Sequence, residues 1–280
     1  MKNNILLFNG SGTISKLTAE NLIRQNVFFS TTSRGNVNLF PGIPNFQVDL
    51  QTGEGLPAAL ANIDAILLVT PDNDEQAKME LRIVDEAVKA GVKNIVKISS
   101  MNADKGKYLL GNIHYGIEEY IKLSGVNWTF LRPSVFMQNF TTYYLKDIRS
   151  RQLLRLPCGH APINFIDAKD IANVAALALT STLFENQSFD IFGPDALSYE
   201  DAIAIISAEI GIPLKYEAIS NEEYKTIIGE GVTYDRIVDL YNYYRNGYAV
   251  GRSDNLIHST GEPFRSFKSF IKEYRDYFCN

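Results

Sequence analysis

The chain has 280 residues, 45% of them hydrophobic and 21% charged, a soluble globular composition long enough for one large unit or two lobes sharing a core. A net charge of −5 and a pI near 5.3 give no electrostatic basis for binding nucleic acid or an anionic membrane, and no apolar run has the length of a signal peptide or a membrane span. Two distant cysteines, Cys158 and Cys279, and three histidines, His114, His160 and His258, share no metal-type spacing. Zinc is therefore not expected, and free thiols fit a cytoplasmic protein.

Short apolar runs alternate with amphipathic segments through the first half. Residues 5–8 read as a buried strand, 15–25 as a helix and 27–32 as a second strand. Strands are expected again at 46–50, 65–69, 94–99 and 128–131, with helices at 56–61, 74–90 and 112–123 between them. Gly91 and Gly125 are the stop signals of the last two helices. The run 65–69 is wholly apolar, as a strand covered on both faces should be. This alternation predicts an α/β fold, a Rossmann-type doubly wound parallel sheet with right-handed crossovers.

After Pro133 the rhythm changes. Residues 136–150 are aromatic-rich and read as helical. Strands are expected at 163–166, 188–192 and 214–218. Helices are expected at 167–182, 198–210, 221–229, 233–246 and 264–277. Ser198, with Asp201 three residues on, reads as a capping arrangement, and Asp167 and Asp170 as the start of their helix. The pattern divides the chain into a dinucleotide-binding domain over 1–150 and a smaller, mostly helical substrate lobe over 151–280, interleaved with the first.

The chemistry-bearing motif follows the first strand: Asn9-Gly10-Ser11-Gly12-Thr13-Ile14-Ser15, opening a helix. Such a turn aims backbone N–H groups and a helix N-terminus at a pyrophosphate. Gly12 stands where a phosphate must approach closely, and Ser15 where the helix packs on the strand. The tight-turn position is Gly10 in a G-x-G-x-x-G spacing. In the wider G-x-x-G-x-x-G spacing it is Asn9, which we prefer because the turn then starts directly after the strand and Asn tolerates left-handed geometry. Past the second strand no carboxylate is available for a ribose 2′-hydroxyl. Arg34, flanked by hydroxyls, points instead to a 2′-phosphate, and so to NADP(H) over NAD(H). Asp49 reads equally as an acceptor for the adenine amino group or as a loop acid. Thr70-Pro71 and Ser99-Ser100 end the fourth and fifth strands, where open α/β sheets bind ligands. Leu50, Val69, Pro133, Val135 and Phe136 complete the expected cofactor lining.

Val96–Met101 (VKISSM), His114 with Glu118 on one helix face, Thr129–Asn139 (TFLRPSVFMQN), Asn164–Ala172 (NFIDAKDIA) and Gly261–Phe270 (GEPFRSFKSF) together resemble the NmrA-like group of atypical short-chain dehydrogenase/reductase relatives, over nearly the whole chain. The resemblance implies a nicotinamide cofactor and reduction of a small apolar or aromatic acceptor such as a quinone or enone by direct hydride transfer. Some members of the group instead sense NADP without turnover, and repurposing for non-redox catalysis is a third reading. The Tyr-x-x-x-Lys pair of ordinary short-chain dehydrogenases is absent: matched on Glu118, His114 takes the Lys position and Leu110 the Tyr position. His114 is then the candidate proton donor, with Tyr115 beside the substrate. Phe136, Phe140, Tyr143 and Tyr144 are expected to wall an apolar pocket for a planar substrate.

Overall fold

The computed structural model describes residues 4–35, 39–229 and 231–279. Apolar runs become strands where alternate residues meet helices on opposite faces. β1 (Ile5–Leu7) leads through a tight loop to α1 (Thr13–Arg24), β2 (Phe29–Ser33) and the short β3 (Asn45–Gln47). Then come α2 (Leu56–Leu60), β4 (Ala65–Leu68), α3 (Gln76–Ala90), β5 (Asn94–Ile98), α4 (Leu109–Leu123) and β6 (Asn127–Pro133). Gly91 ends α3 at φ 78°, the left-handed stop its position predicts.

The region expected to be one helix over 136–150 is broken. A 3-10 turn at Met137–Thr141 precedes α5 (Leu145–Arg151). The hydroxyls of Thr141 and Thr142 both donate to the Gln138 carbonyl, at 3.0 and 2.9 Å, competing for the acceptor an α-helix would use. There follow β7 (Leu153–Leu156), β8 (Ile163–Asn164), α6 (Ala168–Thr180), β9 (Gln187–Ile191), β10 (Ala196–Leu197), α7 (Tyr199–Ile210) and β11 (Lys215–Ala218). Ser198 and Asp201 form the reciprocal capping box of α7. The chain closes with α8 (Asn221–Ile228), α9 (Val232–Arg245), α10 (Asp254–Thr260), α11 (Phe267–Glu273) and α12 (Arg275–Cys279). β7, β10 and α10 lie outside the expected elements, and the expected terminal helix is interrupted at Tyr274.

Seven strands form one sheet in the order β3-β2-β1-β4-β5-β6-β9, with parallel pairing along it. This is the doubly wound order, reversing direction between β1 and β4. Leu6, Phe8, Ile66, Leu68, Ile95 and Phe130 face a core built with α2, α3 and α4. α1 and α6 pack together, and α6 also packs on β4 and β5.

The chain divides into two units. The first comprises residues 1–100, 113–132 and 168–189; the second comprises 101–112, 133–167 and 190–280. The second unit holds two small sheets, β8 with β10 antiparallel and β7 with β11 parallel, around a core rich in tyrosine. Among the described residues no helix is long and apolar enough to cross a membrane, and no group of His, Cys, Asp and Glu could hold a metal ion.

Candidate functional site

The loop after β1 has the geometry its residue types dictate. Asn9 takes a left-handed φ of 52°. Its N–H donates to the Thr32 hydroxyl at 3.2 Å, and the Gly10 N–H donates to the Thr32 carbonyl at 2.8 Å, tying the loop to β2. A Cβ on Gly10 would fall 2.8 Å from Leu39 Cδ1 and 2.9 Å from Thr31 Cβ. One on Gly12 would fall 2.6 Å from Asn9 Nδ2 and 3.1 Å from the Asn9 carbonyl oxygen. Ser15 is fully buried, and its hydroxyl donates to the Phe8 carbonyl at 2.6 Å. A serine thus holds α1 against β1 through a bond that glycine could not make. Asn9 and Ser15 therefore meet the conformational demands of the first and third positions of the wider spacing.

Gly12 is the N-cap of α1. No side chain caps this end, and its first turn, with Thr13 and Ile14, carries no acid. N–H groups left uncapped by side chains, at the positive end of a 12-residue helix, suit an anion. The loop and helix thus fit the pyrophosphate of a dinucleotide. Ser11 is exposed at the loop's outer turn, between the two glycines.

Arg34 is exposed just past β2 and, among the described residues, makes no ion pair. The flanking hydroxyls are engaged within the chain. Ser33 donates to the Gly35 carbonyl and accepts from Asn45, Thr31 donates to Asn45, and Thr32 accepts from Asn9. The guanidinium is the group this segment presents outward. Asp49 lies two residues beyond β3, beside the half-buried Leu50, and its Oδ1 accepts from the N–H groups of Gln51 and Thr52 at 2.7 and 3.2 Å. One carboxylate oxygen therefore shapes its own turn.

At the ends of β4 and β5 the structure joins the expected Thr70 and Ser99 to charged groups of which the sequence reading missed Glu80, Lys97 and Arg132. Val69 is half-buried and Pro71 exposed, while the Thr70 hydroxyl donates to Glu80 Oε1 at 2.8 Å. Glu80 is fully buried against Lys97 Nζ, itself fully buried, and also accepts from Gln76 at 3.3 Å. One strand along, the Ser99 hydroxyl donates to Glu118 Oε1 at 2.6 Å, and Ser100 follows it at the strand end. Glu118 is held by Arg132, Nε to Oε1 at 2.9 Å and Nη2 to Oε2 at 2.5 Å. The available signal was a lone charge inside an apolar strand, Lys97 in NIVKI and Arg132 in NWTFLRP. Strand alternation puts Ile95, Lys97 and Ser99 on one face, which is the face of α3 and α4.

His114 is buried on α4, one turn before Glu118. Tyr115, one position round the helix, is half-buried with its ring 5.9 Å from Lys122 Nζ, which also lies 5.2 Å from the Trp128 ring. The structure thus groups His114 with Glu118 and sets Tyr115 on a different helix face.

Pro133, Val135 and Phe136 belong to the second unit; the first two are buried and Phe136 is half-buried, bridging to Ile166. The expected pocket wall is corrected there. Phe140 is fully buried among Tyr144, Phe165, Tyr199 and Phe267, with ring centroids 5.0–5.8 Å away. Tyr144 bonds the hydroxyls of Tyr199 and Tyr241, each at 3.1 Å, and burial pushes its pKa up to about 12. Tyr143 is 82% exposed. Packing in the core explains Phe140 and Tyr144, whereas Tyr143 points to solvent. Asp167 likewise does more than begin a helix: fully buried, it accepts from Gln138 at 2.7 Å and from Arg265 at 2.6 Å.

Comparison with known proteins follows the same lines. The model of the NmrA-like family matches residues 1–247. An NAD(P)H azoreductase of Xenophilus azovorans is 32% identical, covering 96% of this chain and 97% of the relative. Among solved structures, an NADPH-dependent quinone oxidoreductase from Escherichia coli complexed with NADPH superposes with a TM-score of 0.86 at 20% identity, over 96% of this chain and 99% of that one. The triphenylmethane reductase of a Citrobacter species gives 0.86 at 21% identity, over 98% and 99%.

Proposed function

Because this chain belongs to the NmrA-like family, we propose that it is an NADPH-dependent reductase of a small apolar or aromatic acceptor, of the quinone, enone or azo class. The observation that carries this reading is the α1 N-terminus, uncapped by any side chain, behind a loop that only small residues can form, with Arg34 beyond the next strand. Bound there, the nicotinamide dinucleotide supplies the hydride. The chain's own residues bind and orient it. The N–H groups at the head of α1 take the pyrophosphate, Arg34 takes the 2′-phosphate, and the ends of β4 and β5 receive the nicotinamide side. Asp49 keeps one carboxylate oxygen for the adenine amino group. His114, buried beside the Glu118 cluster, supplies the proton that a reduced acceptor needs. The azo class enters through the azoreductase relative, and the quinone and enone classes through the family resemblance as a whole.

Titration with NADPH and NADH by intrinsic fluorescence, followed by oxidation at 340 nm with quinone and azo-dye panels, tests this. Tight NADPH binding with turnover of one panel is expected. Arg34→Ala should weaken NADPH by at least about tenfold, the worth of a lost charge-assisted contact, and leave NADH nearly unchanged. Equal loss for both nucleotides refutes the 2′-phosphate assignment. NADPH binding without turnover across both panels makes the protein a sensor of NADP instead.

A further inference from the structure

Two strand-end hydroxyls in the first unit are held in the same way. Thr70 donates to Glu80, which is paired with Lys97; Ser99 donates to Glu118, which is paired with Arg132. All four charged side chains are at most 5% exposed. Ion pairs this buried are poor stabilisers compared with apolar residues of similar volume, so their value lies in what they orient. A hydroxyl has one proton and two lone pairs. With its proton committed to a carboxylate, each hydroxyl retains only acceptor capacity.

We propose that Glu80 with Lys97, and Glu118 with Arg132, are positioning pairs that make Thr70 and Ser99 acceptors, so that this end of the site selects the carboxamide N–H donors of a nicotinamide dinucleotide. The inference rests on the cofactor reading above and gives the site a polarity. β1, β4 and β5 are neighbours, so Thr70 and Ser99 lie about 5 and about 10 Å along the sheet from the α1 loop at the usual strand spacing. The loop end offers N–H donors to an anion. The β4 and β5 ends offer acceptors, which repel an anion and favour a donor. A dinucleotide is accordingly bound in one direction, with its phosphates at α1 and its amide at Thr70 and Ser99.

The test uses the full chain and three ligands measured by calorimetry: NADP+, its nicotinic-acid analogue with a carboxylate in place of the amide, and 2′-phospho-ADP-ribose, which lacks the ring. The wild type should prefer amide over acid by about tenfold or more, and Thr70→Val should reduce that ratio at least about threefold. Affinity for 2′-phospho-ADP-ribose should stay within about twofold, and Thr70→Ser should retain the preference. Ser99→Ala should act as Thr70→Val does. Glu80→Gln is the sharper variant. Lys97 must keep an oxygen at the Oε2 position, so the new amide NH2 falls on Thr70 and turns its hydroxyl proton outward. The preference should then shrink below that of Thr70→Val or invert. Equal binding of amide and acid by the wild type overturns the proposal, as does a ratio unmoved by Thr70→Val while the ring-less ligand still binds. If none of the three ligands binds, the cofactor reading falls and this inference falls with it.

Discussion

Replacing Arg132 with Met removes the partner of a carboxylate that has no access to water. Glu118 is fully buried and takes two guanidinium N–H bonds, at 2.9 and 2.5 Å, besides the Ser99 hydroxyl at 2.6 Å, which stays as a donor once the arginine is gone. Breaking one side of such a pair costs about 3–5 kcal/mol. For a chain of this size each kcal/mol lowers the melting temperature by about 2–4 °C, so the expected drop is about 6–20 °C. The double variant Arg132→Met/Glu118→Leu removes both charges and orphans the Ser99 hydroxyl, which costs about 1–3 kcal/mol. It should therefore be more stable than Arg132→Met alone. Urea unfolding followed by the fluorescence of Trp128, the one tryptophan and a residue of β6 itself, reads all three states. A loss below about 1 kcal/mol for Arg132→Met, or a double variant as unstable as the sum of the single changes, would refute the reasoning.

Ser15→Ala should cost about 1 kcal/mol in the same urea assay through the lost bond to Phe8, and Ser15→Gly should cost more, because glycine adds backbone entropy within α1. The Ser198 hydroxyl and backbone N–H hold the Asp201 carboxyl below its ordinary 3.8. A depressed folded value means stabilisation present above the unfolded pKa and lost as pH falls through the folded one. Asp201→Asn should thus be less stable than wild type above about pH 4, with the gap closing toward pH 2 in acid-titrated melting curves. Burial pushes the Cys158 thiol up to about 12, whereas Cys279 is exposed. A thiol-specific chromogenic reagent should therefore titrate one thiol in the native protein, Cys279, and two only after denaturation; prompt labelling of Cys158 would contradict its burial.

Much of the first unit was legible because local rules and tertiary packing agree there. The apolar runs around residues 5–8, 65–69 and 94–99 became central parallel strands, since a strand covered on both faces hides nearly all the side chains of such a run. Gly91 and the Ser198–Asp201 box ended and began helices as their chemistry requires. The second unit was harder to read. β7 and β10 are short and gain their stability from distant partners, β11 and β8, which no local window contains. The 136–150 segment follows helical spacing but yields to two threonine hydroxyls that capture one carbonyl.

The site divides in the same way. The tight loop over residues 9–15 could be expected from the sequence because a turn is a local object, built from consecutive residues with particular φ angles and small side chains. That the hydroxyls beside Arg34 are engaged was settled by bonds from β2 to β3. Phe140 and Tyr144 could be assigned to a core only once Phe165, Tyr199 and Phe267 had been brought around them from remote segments. The pairs Lys97–Glu80 and Arg132–Glu118 join residues 17 and 14 positions apart. Their charges stand in the sequence as isolated exceptions within apolar strands. Only the packing of α3 and α4 on the sheet gives each charge its partner and removes both from water, because a buried charge is tolerable only where the fold delivers its opposite.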